Sequence, residues 1–313
     1  MDVQYELAIV GGGPAGAAAA IYAARKRLKT ILVSGEWGGQ STVSTEIQNW
    51  IGTPTIAGSE LADNLRKHVE VYAGEWLTIV SPAWTTALAT SDDHIEIKVK
   101  TRKEEVTYTA RAIMITTGAN RRKLEVPGAK EYDQKGLTYC ASCDGPLFAD
   151  KDVAVIGGGN AAFETALQLL AYCKSVTLFN RGEDFRADKI SVDAALANSK
   201  MRIIKNTEIL AVEGAQFTTG VKWKDTKSGK ESLLPAEGIF VEIGLIPNTE
   251  WVGTVLEKNQ VGQVKVDPKT QRASHPRAWA AGDCTDGLYH QNNIAAGDAV
   301  KALEDIYMFL RRA

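Results

Sequence analysis

The chain has 313 residues, of which 44% are hydrophobic and 24% are charged, and its formal net charge is −2. This length is about twice that of an average domain, so two domains are predicted, and the near-balanced charge disfavours a nucleic-acid partner. No apolar run approaches the ~18 residues of a membrane span, and the first residues contain no basic region. We therefore expect no membrane segment, no signal peptide and a cytoplasmic protein.

The first predicted module is a strand, a glycine turn and a helix, at residues 7–10, 11–16 and 17–24, followed by a strand at 30–34. In such a turn Gly11 permits a sharp bend, Gly13 lets the backbone approach a pyrophosphate and Gly16 allows close helix packing. Glu36 follows Gly16 at about the 20-residue spacing at which an acid bonds an adenosine ribose.

The middle of the chain contains two segments, 95–100 and 105–110, in which apolar and polar residues alternate. This alternation predicts an antiparallel pair with one polar face. Residues 112–118 and 238–244 are predicted to be buried strands that end in glycine, and we expect the chain to cross between its domains after each of them.

A second module repeats the pattern, with a strand at 153–156, a turn at 157–162, a helix at 163–172 and a strand at 176–180. The repeat predicts two dinucleotide-type modules in one chain. The final helix is predicted over 298–310, with an apolar stripe formed by Val300, Leu303, Ile306 and Leu310.

Charged residues follow the last strand of the second module. Arg181 and Arg186 could clamp a 2′-phosphate, which favours NADP over NAD, whereas Glu183 and Asp184 oppose it. The alternative is a solvated basic edge without a ligand.

Cys140 and Cys143 are the reactive candidates among four cysteines, because two intervening residues suit an intramolecular disulfide. Asp144 adjoins this pair and is placed to exchange a proton with a thiol. Half of a zinc site and a pair of inert cysteines are the alternatives. No second close pair of ligands occurs, so no metal is predicted. Cys173 is predicted to be a buried small hydrophobe, and Cys284 is predicted to pack near a cofactor.

These motifs resemble the low-molecular-weight thioredoxin reductases and, more closely in places, the reductase portion of the alkyl hydroperoxide reductase flavoprotein subunit. The resemblance covers essentially the whole chain and is carried by residues 11–16, 35–40, 117–118, 140–146, 157–162, 244–248 and 280–283. It implies an α/β fold of two Rossmann-like, three-layer ββα dinucleotide-binding domains, the second inserted into the first. The FAD-binding domain would comprise residues 1–117 and 247–313, and the NAD(P)H-binding domain with the cysteine pair would comprise 118–246.

The resemblance also implies the roles of individual residues. Cys143 would face the flavin, Cys140 would attack the substrate disulfide, and Asp144 would act as acid and base. The residues expected to bind FAD are Gly11, Gly13, Pro14, Ala15, Gly16, Gly35, Glu36, Gly39, Gln40, Asn49, Thr117, Gly118, Gly282, Asp283, His290 and Gln291, with Tyr289 near the flavin ring. Those expected to bind the nicotinamide cofactor are Gly157, Gly159, Asn160, Ala161, Arg181 and Arg186.

The function implied by the resemblance is that of a thioredoxin-disulfide reductase, in which electrons pass from NAD(P)H through FAD and the cysteine pair to a thioredoxin- or glutaredoxin-like protein. A homodimer is expected on the same ground. Asn180 departs from the histidine of the thioredoxin reductases and from the glutamate of the peroxide-system flavoproteins, so we expect NADPH and leave NADH open. The peroxide-system flavoprotein has an additional N-terminal thioredoxin-like module. We expect this module to be absent, because the first glycine turn begins at Gly11, and we therefore expect electrons to leave to a separate protein.

Two other functions remain open at this point. An FAD-dependent dithiol oxidase would pass electrons to oxygen, and the intact second glycine turn disfavours it because such an enzyme needs no nicotinamide. A redox flavoprotein unrelated to thioredoxin is disfavoured by the cysteine pair.

Overall fold

A computed structural model describes residues 4–44 and 46–312. These residues form two compact units, one containing the chain up to Asn120 and from Ile246 onward, and the other being Arg121–Leu245. Within the described residues, no helix combines the length and the apolar character needed to cross a bilayer.

The secondary structure of these two ranges consists of seventeen strands, six α-helices and three short 3-10 segments. The strands are β1 (Tyr5–Gly12), β2 (Thr30–Trp37), β3 (Leu77–Val80), β4 (Trp84–Thr90), β5 (Ile95–Lys100), β6 (Glu105–Ile115), β7 (Ala119–Arg121), β8 (Leu137–Thr138), β9 (Asp152–Ile156), β10 (Ser175–Phe179), β11 (Met201–Ile204), β12 (Thr207–Gly214), β13 (Thr218–Asp225), β14 (Glu231–Pro235), β15 (Gly238–Val241), β16 (Leu245–Pro247) and β17 (Ala278–Ala280). The helices are α1 (Pro14–Arg25), α2 (Gly58–Glu70), α3 (Ala141–Asp144), α4 (Asn160–Leu170), α5 (Lys189–Leu196) and α6 (Asn292–Arg312), and the 3-10 segments are Gly39–Val43, Gly145–Phe148 and Glu250–Val252.

The first unit is built on a seven-stranded sheet with the order β3-β2-β1-β6-β5-β4, in which β17 also pairs with β6. Strands β1, β2, β3, β6 and β17 are parallel, whereas β4 and β5 are antiparallel to their neighbours. Leu7 and Ile9 of β1 pack in the core formed with α1 and α6, and Ala8 and Val10 pack in the opposite core. Because successive residues of a strand point to opposite faces, β1 is covered on both sides.

The second unit has a five-stranded parallel sheet with the order β11-β10-β9-β15-β8. Val153 and Val155 of β9 pack in the core that contains α4, while Ala154 and Ile156 pack in the core that contains the separate antiparallel sheet β12-β13-β14. The layers of this unit are therefore helix, parallel sheet and antiparallel sheet. The expected α/β fold of two Rossmann-like domains is confirmed.

Two details differ from the sequence predictions. Segments 105–110 and 112–118 are predicted as separate strands, but residues 105–115 form the single strand β6. The final helix begins at Asn292, and its buried stripe contains Ala299 and Ala302 but not Val300, which is only half-buried. The predicted antiparallel pairing of 95–100 with 105–110 is confirmed.

Candidate active site

The cysteine pair lies at the start of the short helix α3. Cys140 and Cys143 form a disulfide with their Cα atoms 5.3 Å apart, and both residues are half-buried. The backbone N–H of Cys143 donates to Sγ of Cys140 at 3.2 Å. A thiolate formed at Cys140 would keep this donor, and a donor to a charged group stabilises the charge.

Asp144 ends α3 and is buried, with 8% of its surface exposed. Burial raises the pKa of its carboxyl group, while the hydroxyl of Thr138 and the charge of Arg121 lower it. Thr138, on β8, donates a hydrogen bond to Oδ2 of Asp144. A carboxyl group whose pKa is raised by burial is suited to proton exchange with a thiol.

The first glycine turn joins β1 to α1. An added Cβ at Gly11 would lie 2.2 Å from the backbone oxygen of Thr116, and one at Gly16 would lie 1.8 Å from the oxygen of Gly11. At Gly13, the N-cap of α1, an added Cβ would meet no atom within 4 Å, and no side chain caps the helix. Backbone N–H groups and open space at a helix N-terminus fit a dinucleotide pyrophosphate.

The other residues predicted around the first turn follow the carboxyl ends of parallel strands or lie beside α6. Gly35 and Glu36 are in the last part of β2, Thr117 and Gly118 follow β6, and Gly282 and Asp283 follow β17. Parallel strands present their carboxyl ends at one edge of a sheet, which is where doubly wound folds bind ligands.

Side-chain hydrogen bonds connect several of these residues within the first unit. Gln40 Nε2 donates to Oδ1 of Asn120 at 3.0 Å, and Asn120 Nδ2 donates to Oδ1 of Asn248 at 2.9 Å. Asn248 exchanges hydrogen bonds with Thr117, at 2.7 and 3.0 Å. The sequence indicated Asn248 only as part of a family motif. In the structure, Asn248 is bonded directly to Thr117 and is connected to Gln40 through Asn120.

A second group of contacts lies near the start of α6. Asn49 Nδ2 donates to Oε1 of Gln291 at 3.1 Å. His290 Nδ1 lies 3.5 Å from Oδ1 of Asp283. These four residues, predicted from separate parts of the chain, are thus brought together in two pairs.

The second glycine turn joins β9 to α4. An added Cβ at Gly157 would lie 2.2 Å from the backbone oxygen of Glu242, whereas at Gly159, the N-cap of α4, it would meet no atom within 4 Å. Asn160 begins α4 and exchanges hydrogen bonds with Asp188, at 3.1 and 2.7 Å. Ala161 follows it and is exposed. The turn has the same constrained and open positions as the first and fits a second pyrophosphate.

The loop after β10 contains the two predicted arginines. Arg181 and Arg186 are exposed, and neither forms an ion pair within residues 4–44 and 46–312. The backbone N–H of Arg186 donates to the oxygen of Gly158 at 2.8 Å, which holds this loop against the glycine turn. Glu183, in the same loop, is paired with Lys227 and lies 3.7 Å from Nζ of Lys205. Its hydrogen bonds, first with Lys227 and then with Asn206, lower the pKa of its carboxyl group to about 2.

Cys173 is buried, as predicted, and Cys284 is buried as well. Burial raises the pKa of Cys173 and of Cys284 to about 11, so neither thiol is ionised at neutral pH. Across the described ranges, no cluster of histidine, cysteine and acidic side chains could hold a metal ion.

Sequence reasoning missed two polar residues near these sites, the buried Thr138 and the largely buried Glu242. Thr138 precedes the cysteine pair, and Glu242 follows β15 beside the second turn. The Thr165 hydroxyl donates to Oε1 of Glu242 at 3.0 Å, and Arg121 Nη1 lies 3.7 Å from its Oε2. A glutamate at the end of an otherwise apolar buried strand was the one signal that marked Glu242.

Comparisons with known proteins agree with this geometry. Residues 5–299 match the family model described as pyridine nucleotide-disulphide oxidoreductase. An alkyl hydroperoxide reductase subunit of Staphylococcus aureus is 37% identical over 308 residues, and a protein of Bacillus subtilis called NADH dehydrogenase is 35% identical. The alignment covers 98% of this chain but only 59% of either relative.

A solved structure agrees over the full length of both chains. The thioredoxin reductase from Giardia duodenalis superimposes with a TM-score of 0.92 at 32% identity, covering 99% of this chain and 100% of that one. The family implies FAD and a pyridine nucleotide as cofactors, and two turns that each fit a dinucleotide agree with this. The chain belongs to the pyridine nucleotide-disulphide oxidoreductase family, as a thioredoxin reductase-like oxidoreductase close to the reductase portion of the alkyl hydroperoxide reductase flavoprotein.

Proposed function

We propose that this protein is an NAD(P)H-dependent disulfide reductase that uses Cys140 and Cys143 to reduce a small thioredoxin- or glutaredoxin-like protein. The observation that carries the proposal is the Cys140–Cys143 disulfide beside the buried carboxyl group of Asp144. In the step with the partner, the enzyme dithiol is oxidised to a disulfide while the partner disulfide is reduced to two thiols, so electrons and protons balance.

We assign the attack on the partner to Cys140, since its sulfur accepts the N–H of Cys143 and a thiolate there would be stabilised. Cys143 then forms the internal disulfide that releases the partner. Asp144 takes the proton of the attacking thiol and returns it to the leaving sulfur.

Two cofactors are assigned to the two glycine turns. FAD would be held by Gly11, Gly13 and Gly16 with the surrounding residues of the first unit, and the pyridine nucleotide by Gly157 and Gly159. Bound FAD supplies two-electron redox chemistry between a pyridine nucleotide and a disulfide. The protein residues contribute helix N-termini for the phosphates and the neighbouring polar side chains.

NADPH is the donor that we propose, with NADH as the alternative. Arg181 and Arg186 are exposed beside the second turn, and the charge of Glu183, which opposed a phosphate in the sequence, is paired with lysines. Excess positive charge favours a 2′-phosphate. The name of the Bacillus subtilis relative favours NADH, so both donors belong in the test.

We propose that the partner is a disulfide protein rather than a small-molecule disulfide. Leu147, four residues after Cys143 in the chain, is 53% exposed and offers an apolar side chain to a protein partner. The chain spans 59% of the length of the Staphylococcus aureus relative. The name of that relative, an alkyl hydroperoxide reductase subunit, adds a peroxiredoxin to the electron acceptors that the test includes. We also propose a homodimer, from the family resemblance, and a cytoplasmic location.

The test is steady-state oxidation of NADPH and of NADH by the flavin-loaded protein, against thioredoxin, a glutaredoxin and a peroxiredoxin. We expect partner-dependent oxidation of at least one donor, and Cys143→Ser should abolish it while electron flow to an artificial acceptor such as ferricyanide continues. Cys173→Ala is the matched control, because this buried cysteine lies outside the disulfide. Full partner reduction by Cys143→Ser, or a flavin that neither donor bleaches without oxygen, would refute the proposal.

A further inference from the structure

The hydroxyl group of Thr138 contacts both ends of the redox segment. It donates to Oδ2 of Asp144, and it accepts the backbone N–H of Cys140 at 3.3 Å. A hydroxyl has one hydrogen to donate and two lone pairs, so one side chain can make both contacts. Thr138 is 3% exposed, and Asp144 is 8% exposed, so water does not compete strongly for either group.

Thr138 is itself held in place by the sheet. It ends β8, and its register partner is Phe240 of the parallel strand β15. The hydroxyl is therefore presented from a buried strand, whereas Asp144 and Cys140 belong to a short helix and the residue before it.

We propose that Thr138 is a positioning residue, which holds the carboxyl group of Asp144 in a fixed orientation and favours its ionised form for proton exchange with the redox thiols. This role rests on the function proposed above. The hydroxyl donates its hydrogen to the carboxylate, and this interaction favours the charged form of Asp144 against the cost of burial. An ionised Asp144 can accept the proton of the attacking thiol, whereas a protonated one cannot.

The surroundings of Asp144 contain one other charge that acts in the same direction. The guanidinium group of Arg121, on β7, lowers the pKa of Asp144, but it also lies 3.7 Å from the carboxylate of Glu242, beyond the end of β15. Gln168 of α4 reaches α3, and Tyr172, two residues after the end of α4, reaches Gly145; both side chains are neutral. Without Thr138, Asp144 would depend on a cation that a second carboxyl group shares.

The test follows the reduced dithiol itself and needs no bound cofactor. The full-length protein is reduced with dithiothreitol, and the excess reductant is removed under anaerobic conditions. The protein is then mixed with dithiobis(nitrobenzoate), and the rate at which its thiols react is recorded as a function of pH. Asp144→Asn identifies the acid-side inflection that belongs to Asp144. In Thr138→Val, we expect this inflection to move upward by about one pH unit, with about tenfold slower reaction just below it.

Two comparisons separate positioning from a purely structural role. Thr138→Ser keeps the hydroxyl, so its inflection should lie at the wild-type pH. In the Asp144→Asn background, Thr138→Val should not slow the reaction further, because the effects of residues that act through one another are not additive. Thr138→Ala also lacks the hydroxyl but packs differently, and it should shift the inflection by the same amount as Thr138→Val. If Thr138→Val folds poorly, the alanine variant provides the same test.

An unmoved inflection in both hydroxyl-free variants, or an equal rate loss in the Asp144→Asn background, overturns the role of Thr138. An inflection that persists in Asp144→Asn also overturns it. A reduced wild-type pair that does not react with the disulfide reagent overturns the proposed function instead, so the two failures are distinguishable.

Discussion

The side-chain amide of Gln168 donates a hydrogen bond from Nε2 to the backbone oxygen of Ala141, at 3.1 Å. Gln168 lies on α4, which begins at the second glycine turn, and Ala141 is the first residue of α3. Tyr172, two residues after the end of α4, lies so close to Gly145 that an added Cβ at Gly145 would be 2.2 Å from the tyrosine hydroxyl oxygen. Within the second unit, the helix that starts at the second glycine turn therefore also holds the segment that carries the disulfide.

The first prediction concerns this contact. Gln168→Ala removes the hydrogen bond to Ala141, so α3 should be held less firmly, and the unfolding free energy should fall by about 1 kcal/mol. We expect the reaction of the reduced dithiol with a small disulfide to slow about threefold or more, measured by stopped flow. Gln260→Ala, at an exposed position, is the matched control and should change neither quantity. An unchanged rate in Gln168→Ala would show that the contact has no influence on the redox pair.

The second prediction separates two glycines of the first turn. Gly11 has φ +123° and an added Cβ would clash with the oxygen of Thr116, so Gly11→Ala should lower thermal stability strongly. Gly13 has φ −79° and open space around an added Cβ, so Gly13→Ala should fold normally but lose flavin, because the methyl group occupies the space assigned to the phosphates. Flavin content and the unfolding midpoint are measured on the same preparations. A Gly13→Ala protein with a full complement of flavin would refute the placement of the pyrophosphate.

Both glycine turns were predictable because their chemistry is local. Each combines a buried strand, glycines and a helix within one short stretch, and a glycine with a positive φ such as Gly11 or Gly157 is required by the turn itself. The disulfide was predictable for the same reason, since two residues separate its cysteines.

Strand β6 shows why other features were not predictable from local pattern. Its first part alternates because it pairs with β5, while its last part is continuously apolar because it lies between β1 and β17. A change of environment within one strand therefore reads as two strands. The partners of Asp144 and Glu242 come from residues that are not marked by any spacing, namely Thr138 and Thr165, so only the folded chain reveals them.

The third prediction concerns the choice of donor. If Arg181 and Arg186 bind the 2′-phosphate, replacing either with alanine should lower kcat/KM for NADPH about tenfold and leave kcat/KM for NADH nearly unchanged, since only NADPH carries that phosphate. Arg202→Ala is the control, because this arginine is exposed on β11, outside the loop after β10. The measurement is initial-rate kinetics with both donors and one acceptor. Equal losses for NADPH and NADH would show that the arginines do not distinguish the donors.

The last prediction concerns Glu242 and pH. Burial raises the pKa of its carboxyl group in the folded protein from the ordinary 4.5 to about 7, despite opposing contributions from Arg121 and Thr165. Below the ordinary pKa, the carboxyl group of Glu242 is protonated in both the folded and the unfolded chain, so its ionisation does not change the free energy of unfolding. Between these two pKa values, Glu242 ionises in the unfolded chain but stays largely protonated in the folded chain. The free energy of unfolding therefore falls as pH rises through this window.

Glu242→Gln keeps an acceptor for Thr165 but does not ionise. Its unfolding free energy, measured by urea denaturation, should match that of the wild type most closely below pH 4.5 and exceed it by about 1–3 kcal/mol above pH 7. Glu164→Gln is the control, because Glu164 is an exposed acid of α4 close enough to raise the pKa of Glu242, and its loss should reproduce only a small part of the gain. A wild-type protein that gains stability relative to Glu242→Gln as pH rises through this window would show that Arg121 outweighs burial, and that Glu242 is ionised in the folded chain.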